Sequence, residues 1–205
     1  MPTLVDEHTL VLAAGRGKRM GSPKALMNVG GEPWWVRQKR RIETLGLRQT
    51  WVVSDAVRTA MWHRTGAPEF VVASASEPMF ESLVAGLIHL GLAPPRGVFV
   101  LPVDVPAPDG NVFRALAGAN SVAVPVFRGA TGHPVYLPWG WVCDRILTGE
   151  QGGRAAVLLG EHRRLDRLTR GESRFVDVAD PAISFNLNTP GDLGDWEAAQ
   201  PDGWD

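Results

Sequence analysis

The sequence predicts a single α/β domain in three layers, a mostly parallel sheet between two layers of helices, with right-handed crossovers. Short apolar runs ended by glycine, proline or polar turns recur at residues 9–13, 50–53, 69–73, 98–101 and 121–127, as buried strands require. Stretches of helical period lie between them, such as Phe80, Leu83, Val84, Leu87 and Ile88. With 205 residues, 44% hydrophobic and 21% charged, the chain can bury one sizeable core and is too apolar for wholesale disorder.

The first strand, residues 9–13, runs into a basic, glycine-rich loop that contains no acid as far as Leu26. Gly15, Gly17 and Gly21 let the backbone turn its N–H groups toward one point, and Arg16, Lys18, Arg19 and Lys24 add four cations. That chemistry suits phosphate. Two common phosphate loops do not fit. A P-loop needs four residues between its glycines, whereas five separate Gly15 from Gly21, and Pro23 precedes the lysine. A dinucleotide fingerprint needs a third glycine where Met20 stands.

The remaining elements follow in order. Val29 to Pro33 form a turn, and Pro33 suits the start of a helix reaching about Gly46, with Trp35, Ile42 and Leu45 inward and Arg37, Lys39, Arg40 and Arg41 outward. A strand at 50–53, a helix over 55–65 and a strand at 69–73 come next. Ser76, Glu77 and Pro78 open the helix that carries the apolar stripe. The strand at 98–101 ends in Pro102-Val103-Asp104-Val105-Pro106, which sets an acid at the carboxyl end of a central strand, where open α/β sheets bind ligands. Asp109 before Gly110 reads as a turn or cap. A strand at 121–127, a turn and short strand over 129–137, a helix from about Trp139 to Thr148, and an edge strand at 173–178 complete the alternation. Asn188-Thr189-Pro190 reads as a helix start, and the tail from Gln200 as frayed.

The net charge of −1 invites neither a nucleic-acid backbone nor an anionic membrane. Residues 1–8 lack an apolar core and no apolar run reaches the roughly 18 residues of a membrane span, so a cytoplasmic location is expected. The single cysteine, Cys143 beside Trp141, reads as a structural thiol.

The loop from Leu12 to Leu26 resembles the signature of the MobA-like nucleotidyltransferases, Leu-x-Ala/Gly-Gly-x-x-x-Arg-Met-Gly-x-x-Lys-x-Leu. Later elements resemble that family in the same order: Ser82-Leu83-Val84-Ala85-Gly86-Leu87, Asp104-Val105-Pro106, Gly132-His133-Pro134-Val135, Gly149 to Arg154 and Asn186 to Leu193. Gly-His-Pro-Val is similar to the molybdenum cofactor cytidylyltransferase branch. Glu150 and Gly153 depart from that branch, which has aspartate and alanine there.

The resemblance implies a Rossmann-like fold and transfer of a nucleoside monophosphate, CMP from CTP, to a phosphorylated acceptor such as molybdopterin, with Mg²⁺ and release of pyrophosphate. It implies catalytic roles for Arg19 and Lys24, and nucleotide contacts from Leu12, Ala13, Ala14, Gly15, Arg16, Gly17, Ser82 and Asp104. It further implies acceptor contacts from His133 and Arg154, metal ligation by Asp104 and Asn188 with Asn186 as the alternative, and a molybdoenzyme or its maturation factor as partner. CTP rather than GTP follows from Ala13-Ala14-Gly15, where relatives that use GTP tend to read Ala-Gly-Gly. A guanylyltransferase, an NAD(P)H-dependent oxidoreductase of the nicotine-blue-oxidoreductase type and a nucleotide-binding regulator stay open beside it.

Overall fold

In the computed structural model, residues 4–17, 21–64, 66–147 and 164–199 are described. In chain order they form β1 (Glu7–Ala13), a 3-10 turn (Lys24–Leu26), β2 (Asn28–Val29), β3 (Glu32–Pro33), α1 (Trp34–Thr44), β4 (Arg48–Val53), α2 (Asp55–Trp62) and β5 (Glu69–Val72). Then come α3 (Met79–Leu90), β6 (Gly97–Pro102), α4 (Gly110–Ala117), β7 (Ala123–Phe127), β8 (Ala130–Thr131), β9 (Val135–Pro138) and α5 (Trp139–Arg145). The last are α6 (Leu165–Leu168), β10 (Arg174–Asp177), a second 3-10 turn (Pro181–Ser184) and α7 (Pro190–Ala199).

β1 lies between β4 and β6, parallel to both, with Val11 opposite Trp51 on one side and Leu101 on the other. All of its residues are buried, which is why its second half, Leu10 to Ala13, reads as an unbroken apolar run rather than an alternation. The sheet order is β10-β7-β9-β6-β1-β4-β5, with β8 on β7. Only β9 and the short β8 run against their neighbours. The reversal begins at Arg128-Gly129, where both residues have positive φ, the geometry of a tight hairpin turn.

Alternate residues of β1 feed two cores. Leu10 and Leu12 pack with Phe80, Leu83 and Leu87 of α3 and Val142 of α5. Val11 and Ala13 pack with Trp34 of α1, Met61 of α2 and Phe113 of α4 on the other face. The three-layer α/β architecture, Rossmann-like with a mainly parallel sheet, is therefore as the sequence predicts. A Cβ at Gly86 would meet Leu10 and Val52 side chains at 2.7 and 2.8 Å, so this glycine lets α3 settle directly onto the sheet.

At the amino ends of the strands, Glu7 is fully buried. Its carboxylate takes Nη2 of Arg96 at 2.6 Å and the Tyr136 hydroxyl at 3.2 Å. Burial, reinforced by the Glu7 charge, pushes the Tyr136 phenol up to about 12. Asp109 caps α4 by accepting from Asn111 and Val112 amides, as expected.

Two expectations need correction. Arg37 is buried at 7% exposure rather than outward, because it lies against the Gly30 backbone of the β2–β3 turn, and the neighbouring Gln38 is fully buried. Cys143 is exposed, since Val142 is the residue of α5 that turns into the core. Among the described residues no helix is long and apolar enough to cross a membrane.

Candidate active site

The loop after β1 closes on itself. Gly17 has φ of 59°, and a Cβ there would lie 1.9 Å from the Ser22 carbonyl, so no side chain can replace its hydrogen. The 3-10 turn then forms through the bond from Leu26 N–H to the Pro23 carbonyl at 2.9 Å. Ala25 is fully buried and pins this turn to the core, which leaves Lys24 beside the carboxyl ends of the strands.

Lys24 Nζ donates to Asp104 Oδ2 and to Asn188 Oδ1, both at 2.6 Å. Three separate segments thus converge on one ammonium. α1 holds the Asp104 segment from below. The Trp34 indole donates to the Val103 carbonyl at 2.6 Å, Gln38 Nε2 donates to the Val105 carbonyl at 2.7 Å, and the Ala107 amide donates to Gln38 Oε1 at 2.8 Å. Backbone groups on both sides of Asp104 are thereby satisfied inside the protein, which restricts where its carboxylate can sit.

Asn188 is held from the start of α7. Asp192 Oδ2 accepts from the amides of Asn188 at 2.9 Å and Thr189 at 2.7 Å, while the Asp192 amide donates to Thr189 Oγ1 at 3.2 Å. This reciprocal cap keeps the Asp192 carboxyl below its usual range, first through the Asn188 amide. Thr189 is therefore the capping residue, and Asn188 is free to turn to Lys24. Asn186 is exposed and lies near the Ser184 carbonyl instead.

A cleft of about 170 Å³ opens over this point, lined among others by Leu12, Ala14, Gly15, Gly17, Lys24, Ser82 and Asp104. These are most of the residues expected to meet the nucleotide. Ala13 is not among them, because its side chain faces the opposite core. Arg16 lines an adjoining groove with Asp55, Ser74 and Ala75. Arg19 and Arg154, with the whole Gly149 to Arg154 element, lie outside the described residues.

A larger cavity of about 850 Å³ shares Leu12, Met79 and Pro102 with the cleft and is lined by His133, Phe80, Val124 and Arg170. A Cβ on Gly132 would meet the Ile183 carbonyl at 2.0 Å, and the His133 amide donates to that same carbonyl at 2.9 Å. That close passage explains the glycine before the histidine. Burial pushes the His133 imidazole below its ordinary value, with the Asp104 charge opposing, so it is neutral near pH 7.

The oxygens of Asp104 and Asn188 suit a hard cation such as Mg²⁺ or Mn²⁺. Among the described residues no group of three His, Cys, Asp or Glu side chains could hold a metal ion. A two-oxygen set that relies on substrate phosphates to complete the shell is the usual arrangement for Mg²⁺.

Sequence reading missed Trp34, Gln38 and Asp192, which support the site without touching the cleft. Ser74, Ala75 and Glu77, which line it, were missed as well. Only Asp192 had a local signal, as the acid three residues after Thr189.

A model of the MobA-like NTP transferase domain matches residues 9–166. The chain belongs to this family. The family's chemistry is nucleotidyl transfer from nucleoside triphosphates. Asn188 lies beyond the matched segment, so its place in the MobA-like site rests on geometry.

Solved structures agree on the fold. A Mycobacterium sp. strain JC1 homologue of Mycobacterium tuberculosis Rv0371c superposes with a TM-score of 0.70 at 19% identity, covering 95% of this chain and 96% of that one. A nucleotidyl transferase from Methanothermobacter gives 0.65 at 20% identity, covering 92% and 94%. Rv0371c from Mycobacterium tuberculosis H37Rv, in complex with manganese, gives 0.62 at 18% identity, covering 95% and 99%. No curated protein matches the sequence.

Proposed function

We propose that this MobA-like chain works as a single domain that moves CMP from CTP to a phosphorylated acceptor such as molybdopterin and releases pyrophosphate. The observation that carries this reading is the meeting of Lys24, Asp104 and Asn188 at the mouth of the Gly15–Gly17 turn. An ammonium beside backbone N–H groups, with two oxygen ligands behind it, can gather a triphosphate and oppose the charge that builds at its α-phosphorus.

An acceptor phosphate oxygen forms the new bond to the α-phosphorus, and the bridging oxygen leaves with pyrophosphate, in line with the attack. The attacking oxygen is already anionic, so the chain needs neither a covalent nucleophile nor a general base. Lys24 neutralises the α-phosphate, the turn amides receive the leaving phosphates, and Arg19 is assigned to them on the resemblance. Asp104 and Asn188 would hold Mg²⁺, which would draw charge from the phosphate oxygens. The manganese complex of the mycobacterial neighbour supports a divalent ion in this fold.

Ala14 is 5% exposed and lines the cleft. Its methyl takes room that a purine would use, which supports CTP. Neutral His133 can accept or donate a hydrogen bond to an acceptor in the larger cavity. The acceptor's delivery to a molybdoenzyme or its maturation factor extends the same reading.

Pyrophosphate release tests it, using the four common nucleoside triphosphates, Mg²⁺ and a panel of phosphorylated acceptors that includes molybdopterin. Release with CTP and one acceptor is expected. Oxidation of NAD(P)H without pyrophosphate would replace transfer with redox chemistry.

A further inference from the structure

Lys24 holds two assignments that one ammonium cannot meet at once. Its Nζ lies 2.6 Å from Asp104 Oδ2 and 2.6 Å from Asn188 Oδ1, the same two oxygens that are suited to a divalent ion. The proposed transfer requires it at the α-phosphate. We propose that Lys24 is an internal counter-cation that keeps Asp104 and Asn188 closed to a divalent ion until a nucleoside triphosphate draws the ammonium into the cleft. Metal and nucleotide then enter together.

The surroundings of the three side chains support this. Among the described residues Asp104 is the only carboxylate bonded to Lys24, with the Asp192 charge farther off behind Asn188, so an ammonium and a divalent ion side by side would put three positive charges on one directly bonded negative charge. The side chains are 17% and 24% exposed, so water screens that repulsion incompletely. A bound triphosphate changes the balance, because its oxygens supply both the missing negative charge and the missing ligands.

The two oxygens cannot easily retreat. The Asp104 segment is fastened to α1 through Trp34 and Gln38, and the Asn188 amide is fastened to Asp192. The lysine is the mobile partner, a long flexible chain on a turn whose pinned residue is its neighbour Ala25. The fixed oxygens therefore exchange one cation for another while the backbone stays in place.

This inference rests on the proposed transfer only for the identity of what draws Lys24 away; the competition itself is testable without nucleotide. Uptake of Mn²⁺ by the nucleotide-free protein, read from loss of the free-ion electron paramagnetic resonance signal, should be weak in the unmodified chain. Lys24→Met and Lys24→Gln should each take up one Mn²⁺ per chain, about tenfold or more tightly than the unmodified protein. Adding Asp104→Asn to either variant should abolish the gain. Using both variants, each checked for native thermal unfolding, protects the test against misfolding of one.

Equal Mn²⁺ affinity in the unmodified protein and in folded Lys24 variants overturns the proposal. So does a gain that survives Asp104→Asn. Pyrophosphate release measured beside it separates the two readings. A Mn²⁺ gain with no transfer by the unmodified protein upholds the counter-cation and rejects the activity, and transfer with no gain does the reverse.

Discussion

The backbone amide of Leu187 donates to the carbonyl of Asp104 at 2.8 Å. This bond welds the segment before Asn188 to the segment after β6, so the two metal-suited oxygens share one rigid base. Because it uses main-chain atoms only, it survives any change of the Asp104 side chain.

Asp104→Asn should therefore keep the fold and lose the chemistry. An amide offers a hard cation no anionic oxygen, so activity and its dependence on Mg²⁺ should fall sharply while thermal unfolding barely moves. Unfolding of the variant with an unchanged Mg²⁺ requirement in the remaining activity would make Asp104 a structural residue. Calorimetry and a Mg²⁺ titration of turnover decide between them.

Lys24→Ala should reduce turnover on the order of 100-fold or more and weaken nucleotide binding less, since its charge opposes one that builds in the transition state. Steady-state kinetics with separate nucleotide binding check this. Unchanged turnover removes Lys24 from the reaction.

Gln38→Leu should remove the buried side-chain bonds to the Val105 carbonyl and the Ala107 amide. A buried carbonyl that loses its partner costs about 1–3 kcal/mol, so urea unfolding should show a loss of about that size. The Mg²⁺ concentration for half-maximal rate should rise with it, because the Asp104 segment gains freedom. A stable variant with an unshifted Mg²⁺ curve would deny Gln38 its supporting role.

CTP should bind in preference to GTP, and Ala14→Gly should narrow the gap. One methyl discriminates by about 1–3 kcal/mol, so the preference should be clear but incomplete. Titration of both nucleotides by calorimetry, with Mg²⁺ present, measures it directly. GTP binding as tightly as CTP in the unmodified protein rejects the base assignment.

His8 should make the protein acid-sensitive. The Thr50 hydroxyl gives its proton to Glu69, so the bond between His8 Nε2 and Thr50 Oγ1 requires His8 to donate. Burial, then the Arg48 charge, lowers the imidazole from 6.5 to about 4. Between those values the unfolded chain binds a proton that the folded chain refuses, so stability rises with pH. The loss on acidification from pH 7 to 4 is about 3 kcal/mol from this group. Urea unfolding across that range should show His8→Gln losing less stability than the unmodified protein.

Strands were legible because a strand segment buried on both faces is an apolar run, as residues 10–13 of β1, 51–53 of β4 and 98–101 of β6 are. Much of the cleft was legible because Gly15, Gly17 and Lys24 lie within one short stretch whose spacing has a mechanism. Gln38 was hidden for the opposite reason. Its partners Val105 and Ala107 lie 67 and 69 positions away, and it sits in a run of arginines and lysines that reads as a solvated face. Arg37 was misread with it. Asn186 and Asn188 flank Leu187 in an irregular segment between the second 3-10 turn and α7, and composition cannot say which of the two turns inward. The Asp192 cap settles it through backbone bonds that no pattern of side chains displays.

The far end of the sheet bears on synthesis. Glu7 is buried at the start of the first strand, and the Tyr136 hydroxyl that helps to satisfy it lies 129 residues later. A nascent chain emerging from the ribosome can meet the Glu7 charge with Arg96 just before β6, but the Tyr136 bond must wait until β9 has been made and has slid between β6 and β7. Before that moment the sheet has an open seam at β6. Residues 4–127 alone should therefore be less stable than the full chain, with the β6 edge unpaired until β9 arrives.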